Sequence, residues 1–104
     1  MKLKMTEQEY QVNKILPSIR KRMAKQLVET GKNQKDIAKM LGLTEGAISQ
    51  YVNDRRGNLY KLNNKQKPII DHYVKKIMIG KDPFVAQSRC LSGVFKFDKK
   101  NTPN

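Results

Sequence analysis

The chain has 104 residues, of which 22 are Lys or Arg and nine are Asp or Glu, a formal charge of +13. At 38% apolar residues, with no Trp, it can build one modest core in a single domain or a small domain with a tail. No apolar run approaches the roughly 18 residues that a membrane span needs, and one cysteine, Cys90, rules out a disulfide framework and, alone, a zinc site. The basic start Met1-Lys2-Leu3-Lys4 is followed by no apolar stretch of the secretory-signal kind. A cytoplasmic, reduced and strongly cationic protein is expected.

Thr6-Glu7-Gln8-Glu9 has the form of a capping box, a hydroxyl with Glu three residues on, and predicts a helix over 7–15. Pro17 has no amide hydrogen and suits the first turn of a new helix; one long helix kinked there is the alternative. Over 17–30, Ile19, Met23, Leu27 and Val28 recur at helical spacing, with Leu16 just before and Gly31 as the closing residue. Asn33 caps a helix over 34–41 that ends at Gly42. Thr44 caps another over 45–53, with Ile48, Tyr51 and Val52 as its apolar residues.

Asp54-Arg55-Arg56-Gly57-Asn58 reads as a basic turn, and 59–62 is too short to assign. Asn63 or Asn64 caps a helix over 65–79, with Pro68 in its first turn. Its apolar face holds Ile69, Ile70, Tyr73, Val74, Ile77 and Met78, and Gly80 closes it. Asp82-Pro83 reads as a turn. Residues 84–97 are apolar enough to pack but show no clear period, and 98–104 read as a polar, frayed end. The pattern predicts an all-α fold: a compact helical bundle of four to five helices containing a helix-turn-helix, with a less regular C-terminal segment. Residues 1–80 form the helix-turn-helix domain, and 81–104 a segment for dimerisation or a frayed tail.

The charge points to a polyanionic partner. It is spread along the chain, net +5 over 1–53 and net +8 over 54–104, with no block of five or six like charges that would mark a disordered arm. Arg20-Lys21-Arg22 fits a phosphate clamp and a solvated helix face about equally well. Lys75-Lys76 reads as a solvated face, His72 as a surface or packing residue, and Cys90 as a buried small apolar group. No Gly-rich phosphate loop, acid–base pair or metal set is present, so neither an enzyme nor a cofactor is expected.

The informative stretch is 34–53, QKDIAKMLGLTEGAISQYVN. Two short helices meet at Gly42, a position that commonly needs positive φ, and Ala38 sits where the helices approach most closely. Ile37, Leu41, Leu43, Ile48 and Tyr51 supply their core. These are the requirements of a helix-turn-helix, which holds its second helix out from the body. The twenty residues resemble the helix-turn-helix of phage-repressor-type (Cro/CI-like) regulators, with Gln34 first and Ala38, Gly42 and Ile48 in register. The wider frame from Leu16 to Gly57 is similar to a family of small archaeal predicted transcriptional regulators. Their pattern is a Leu-Pro, a basic first helix, a Gly-x-x-Gln and a Thr-x-x-Ala-[Val/Ile]-Ser-Gln-Tyr helix. Members often carry paired cysteines near the C-terminus; Cys90 stands alone here, so no metal site carries over.

The resemblance implies double-stranded DNA as the partner, transcription regulation as the role and a homodimer as the working form. By the docking of this motif, Thr44, Glu45, Ser49 and Gln50 face base edges; Gln50 can pair with adenine, and Glu45 can accept from cytosine N4. Gly46 reads nothing and allows close approach. Gln34, Lys35, Lys39, Arg55 and Arg56 are the expected phosphate contacts, which set register rather than sequence preference. Each polar residue alone is also what an ordinary capped surface helix would show; the pattern as a whole favours DNA. The dimer surface is expected among the apolar residues of 65–79 and 84–97. The alternative is a helix-turn-helix scaffold, coactivator or antitoxin-like, that acts through protein partners. A structured-RNA binder lacks the aromatic platform such modules use.

Overall fold

A computed structural model of the chain describes residues 5–98. They fold into α1 (Glu7–Tyr10), a π turn (Gln11–Ile15), α2 (Leu16–Glu29), α3 (Gln34–Leu41), α4 (Glu45–Val52), α5 (Lys67–Met78) and α6 (Pro83–Lys96), with no strand among the described residues. The architecture is an all-α bundle. α2 packs against α3, α4, α5 and α6, and α5 and α6 pair with each other.

The Thr6 hydroxyl caps α1 by accepting the Glu9 amide at 3.1 Å. Helix then continues to Glu29, so the single long helix is the form adopted. Pro17 cannot donate to the carbonyl four residues back, and its ring would press on it. The π turn just before it widens the helix, with the Leu16 amide donating to the Gln11 carbonyl five residues back. Ile15, Ile19, Met23 and Leu27 repeat every four residues and are fully buried. Val28, expected on that stripe, lies one residue past it and is exposed.

α3 and α4 begin on the side-chain caps that the sequence predicts. Asn33 Oδ1 accepts the Asp36 amide at 2.8 Å, and Thr44 Oγ1 accepts the Ala47 amide at 3.1 Å. Between them Gly42 takes φ +68°, which lets the Leu43 amide reach back to the Ala38 carbonyl at 2.9 Å and close α3. Ile37, Ala38, Leu41, Ile48 and Tyr51 are buried.

α5 starts at Lys67 rather than residue 65. The Asn63 side chain accepts the Lys65 and Gln66 amides, so residues 64–66 form a turn before the helix. Gln66 is fully buried there, donating to the Tyr60 hydroxyl at 2.8 Å and the Val94 carbonyl at 2.9 Å. Ile70, Val74 and Ile77 form the buried stripe of α5, while Met78 at its end is exposed.

Asp82-Pro83 is the start of a helix and not merely a turn. Asp82 Oδ1 accepts the Phe84 and Val85 amides at 2.8 and 3.1 Å, and Pro83 occupies the first position, where its missing amide costs nothing. The 14-residue α6 buries Ala86, Gln87, Cys90 and Val94. This helical face is small and partly polar, whereas the large residues Phe84, Val85 and Phe97 point to solvent, which hides the period. Much of the apolar content expected for a dimer surface is thus spent inside the chain. Asp98, expected to be frayed, is buried and accepts the Tyr60 hydroxyl at 2.7 Å; residues 99–104 of that end lie outside the described residues.

Candidate nucleic-acid interface

The surface built by α3, α4 and the loop that follows starts from helical periodicity. With Ile48 and Tyr51 locked in the core, steps of 100° turn Gly46, Gln50 and Asn53 to the opposite side of α4, with Ser49 on the flank. Thr44, Glu45, Gly46 and Gln50 are exposed, and Ser49 is half-buried. Their side chains are differently committed. The Thr44 oxygen holds the cap, leaving its hydroxyl hydrogen to donate. Ser49 receives the Asn53 side-chain amide, which bonds its carbonyl at 2.9 Å and its hydroxyl at 3.4 Å. Among the described residues, Glu45 and Gln50 form no side-chain hydrogen bond and present their polar ends outward.

Asn53 belongs to this face and was not among the expected site residues. Its signal is the spacing of four from Ser49 and three from Gln50; in the sequence it reads only as the last residue of the helix over 45–53. Gly46 has open space above it: a β-carbon there would meet only Thr44 Oγ1, at 4.0 Å. The opening of α4 therefore combines exposed backbone, amides without a helical partner and the positive end of the helix dipole, all favourable to acceptor groups.

The five expected phosphate contacts Gln34, Lys35, Lys39, Arg55 and Arg56 are all exposed. Lys35 and Lys39 share a stripe of α3, and Arg55 and Arg56 follow α4. The Arg55 amide donates to the Gln50 carbonyl at 2.8 Å, so the loop turns back over the end of α4. The Arg56 guanidinium lies over the Tyr51 ring at 5.2 Å from its centroid. Among the described residues, no carboxylate pairs with any of these four cations.

The cations of α2 are treated differently. Asp54, in left-handed backbone at φ +60°, takes Lys25 at 2.6 Å and Lys21 at 2.9 Å. Hydrogen bonds from Lys25 and then Lys21 hold its carboxyl down at about 2, well below the usual carboxylate range. Arg22 grips Asp71 of α5 with two bonds, at 2.9 and 3.1 Å, and Gln26 adds a third. Partial burial raises the Asp71 carboxyl, but the bonds from Arg22 and Gln26 outweigh it and leave it lowered. The triplet Arg20-Lys21-Arg22 is therefore split: Lys21 and Arg22 pair with carboxylates, while Arg20 Nε donates to the buried Gln87 at 2.9 Å. Gln87 passes the contact on, donating to the Leu41 carbonyl at the end of α3 at 2.8 Å. Gln87 carried no sequence signal, since a glutamine on an amphipathic helix normally reads as surface.

Outside this face, His72 is exposed and packs edge-on against Tyr73 at 5.1 Å, and Cys90 is buried. Among the described residues no cluster of three or more His, Cys, Asp or Glu could hold a metal ion, and no helix is long and apolar enough to cross a membrane. The fold thus defines an all-helical bundle with one polar, cation-flanked helix face. Compared with protein-family models, curated proteins and solved structures, the chain matches none of them.

Proposed function

We propose that this chain is a sequence-specific double-stranded DNA-binding transcriptional regulator, in which α3 and α4 act as a helix-turn-helix and α4 enters the major groove as part of a homodimer. One observation carries the reading. The exposed polar face of α4 is flanked by cations without a carboxylate partner among the described residues, Lys35, Lys39, Arg55 and Arg56, while Lys21 and Lys25 on α2 share Asp54 and Arg22 pairs with Asp71. Cations on α3 and in the loop after α4 suit a phosphate backbone, and Gln50 and Glu45 on α4 suit base edges.

Two variants test it by fluorescence anisotropy on cognate and random duplexes. Gln50→Ala is expected to cost about 1–3 kcal/mol on the cognate site and little on random DNA. Arg55→Ala is expected to weaken both comparably and to lower the salt slope by about one. Equal losses on both duplexes for both variants would exclude α4 as the reading helix.

A second reading, a scaffold acting through a protein partner, draws on the exposed apolar residues Met78, Ile79, Phe84 and Val85 around the α5–α6 corner. A cognate-to-random affinity ratio near one would favour it, against roughly a thousandfold for a regulator.

A further inference from the structure

The loop after α4 folds back along the π turn and α2, and a groove of about 520 Å3 remains between them. Arg20, Arg55 and Arg56 line it together with Asn13, and the exposed side chains of Val12 and Leu59 give it apolar rims. The volume falls in the range of small-ligand sites, roughly 300–1,000 Å3.

Several features set it apart from an ordinary basic surface. Two of the three guanidiniums are held in place, Arg20 by buried Gln87 and Arg56 by the Tyr51 ring, so part of the cost of ordering them is already met. No carboxylate lines the groove among the described residues; the adjacent Asp54 is engaged by Lys21 and Lys25. Three positive side chains lining one groove repel one another unless an anion joins them. The π turn supplies Val12 and Asn13 to the groove, and such turns are frequent at functional sites. Gly57 fixes the loop against the helix: a β-carbon there would lie 2.6 Å from the Pro17 carbonyl oxygen, so no side chain fits between them.

From these we infer that the groove binds the phosphate group of an organic phosphate. The guanidiniums form charge-assisted, bidentate bonds to its oxygens, and Val12 and Leu59 cover the organic part. Such a phosphate has two sources: a free molecule of the mononucleotide class, or a backbone phosphate of DNA beside the bases that α4 reads. The DNA source rests on the function proposed above; the free source does not.

The test uses the full chain and two variants. Asn13→Glu puts a carboxylate into the groove at an exposed position away from α4, and Arg55→Gln removes one guanidinium. Calorimetric titration with AMP and anisotropy with a random duplex are run on each, after thermal melts show that the variants fold. AMP binding that falls about tenfold or more in both variants would establish the free source. Absent AMP binding, with duplex affinity falling about tenfold in Asn13→Glu as well as in Arg55→Gln, would establish the DNA source. Absence of AMP binding together with duplex affinity indifferent to Asn13→Glu would overturn the inference and leave the α4 reading standing. AMP binding by a protein that does not bind DNA would sustain the groove and overturn the α4 reading.

Discussion

Gly42 and Gly57 both hold left-handed backbone, at φ +68° and +83°, but their surroundings differ. A β-carbon at Gly42 would meet the tip of the Phe84 ring at 2.7 Å, and Phe84 is exposed and can swing away. At Gly57 the obstacle is the Pro17 carbonyl in the middle of a helix, which cannot move alone. Gly42→Ala is therefore expected to cost about 1 kcal/mol, mostly backbone strain, and Gly57→Ala about 2–4 kcal/mol. Urea unfolding of both variants measures the difference; equal costs would mean that the 54–58 loop is not clamped to α2. Titratable residues add a pH dependence. Burial, helped by the Asp71 charge, pushes the Cys90 thiol up from 9 to about 12. Burial also raises the Tyr60 hydroxyl; the Gln66 bond opposes this, and Asp98 adds to it. Both groups are raised on folding, so their contribution is complete below the unfolded values and is lost as pH climbs toward the folded ones. Stability is expected to fall from about pH 9 upward, with Cys90 reacting with thiol reagents only at the rate of opening. Flat stability between pH 9 and 11 would contradict this burial.

At the scale of the element, the legible parts of the chain are those whose signals are local. Asn33, Gly42 and Thr44 carry their caps and turn within a few residues, and α3 and α4 begin where the sequence places them. α6 was hidden because its buried face is Ala86, Gln87, Cys90 and Val94, chosen by fit against α5 and α2, while Phe84 and Val85 face outward. The π turn was hidden too, because a proline signals a disturbance without saying how the backbone absorbs it. On the candidate interface, the residue types were readable but their charge states were not. That Lys21 and Lys25 have a carboxylate partner and Arg55 has none among the described residues depends on Asp54 lying across from α2, a tertiary fact. The element most open to test is α4. Gly46 sits in its first turn with open space around it, so Gly46→Ala should stabilise the fold by about 0.5–1 kcal/mol through helix propensity and lost unfolded-state freedom. The same methyl would stand between the helix and the base edges, and cognate DNA affinity should fall by about 1–3 kcal/mol. Paired melting and anisotropy measurements check both signs. A stabilised variant with undiminished binding would place the DNA elsewhere.

At the scale of the whole molecule, the chain carries a net charge of +13, and its fold extends about 44 Å in the longest dimension; Lys2, Lys4, Lys99 and Lys100 lie outside the described residues. The acidic residues partly sort this charge: Asp54 and Asp71 pair with Lys21, Lys25 and Arg22 of α2, whereas Lys35, Lys39, Arg55 and Arg56 pair with no carboxylate among the described residues. One helix of eight residues reads few base pairs, so the proposed regulator needs a second copy. The exposed apolar residues Met78, Ile79, Phe84 and Val85 lie at the α5–α6 corner, with Phe84 beside Gly42 at the α3–α4 turn. The central claim, that paired copies of α4 read duplex DNA, is tested most directly by selecting fragmented genomic DNA on the purified protein at about physiological salt, where non-specific retention is weak. The account predicts an enriched inverted repeat with half-sites about 34 Å apart, or a multiple of that, one helical turn of DNA. Retention of all fragments alike, falling smoothly as salt rises, would contradict it.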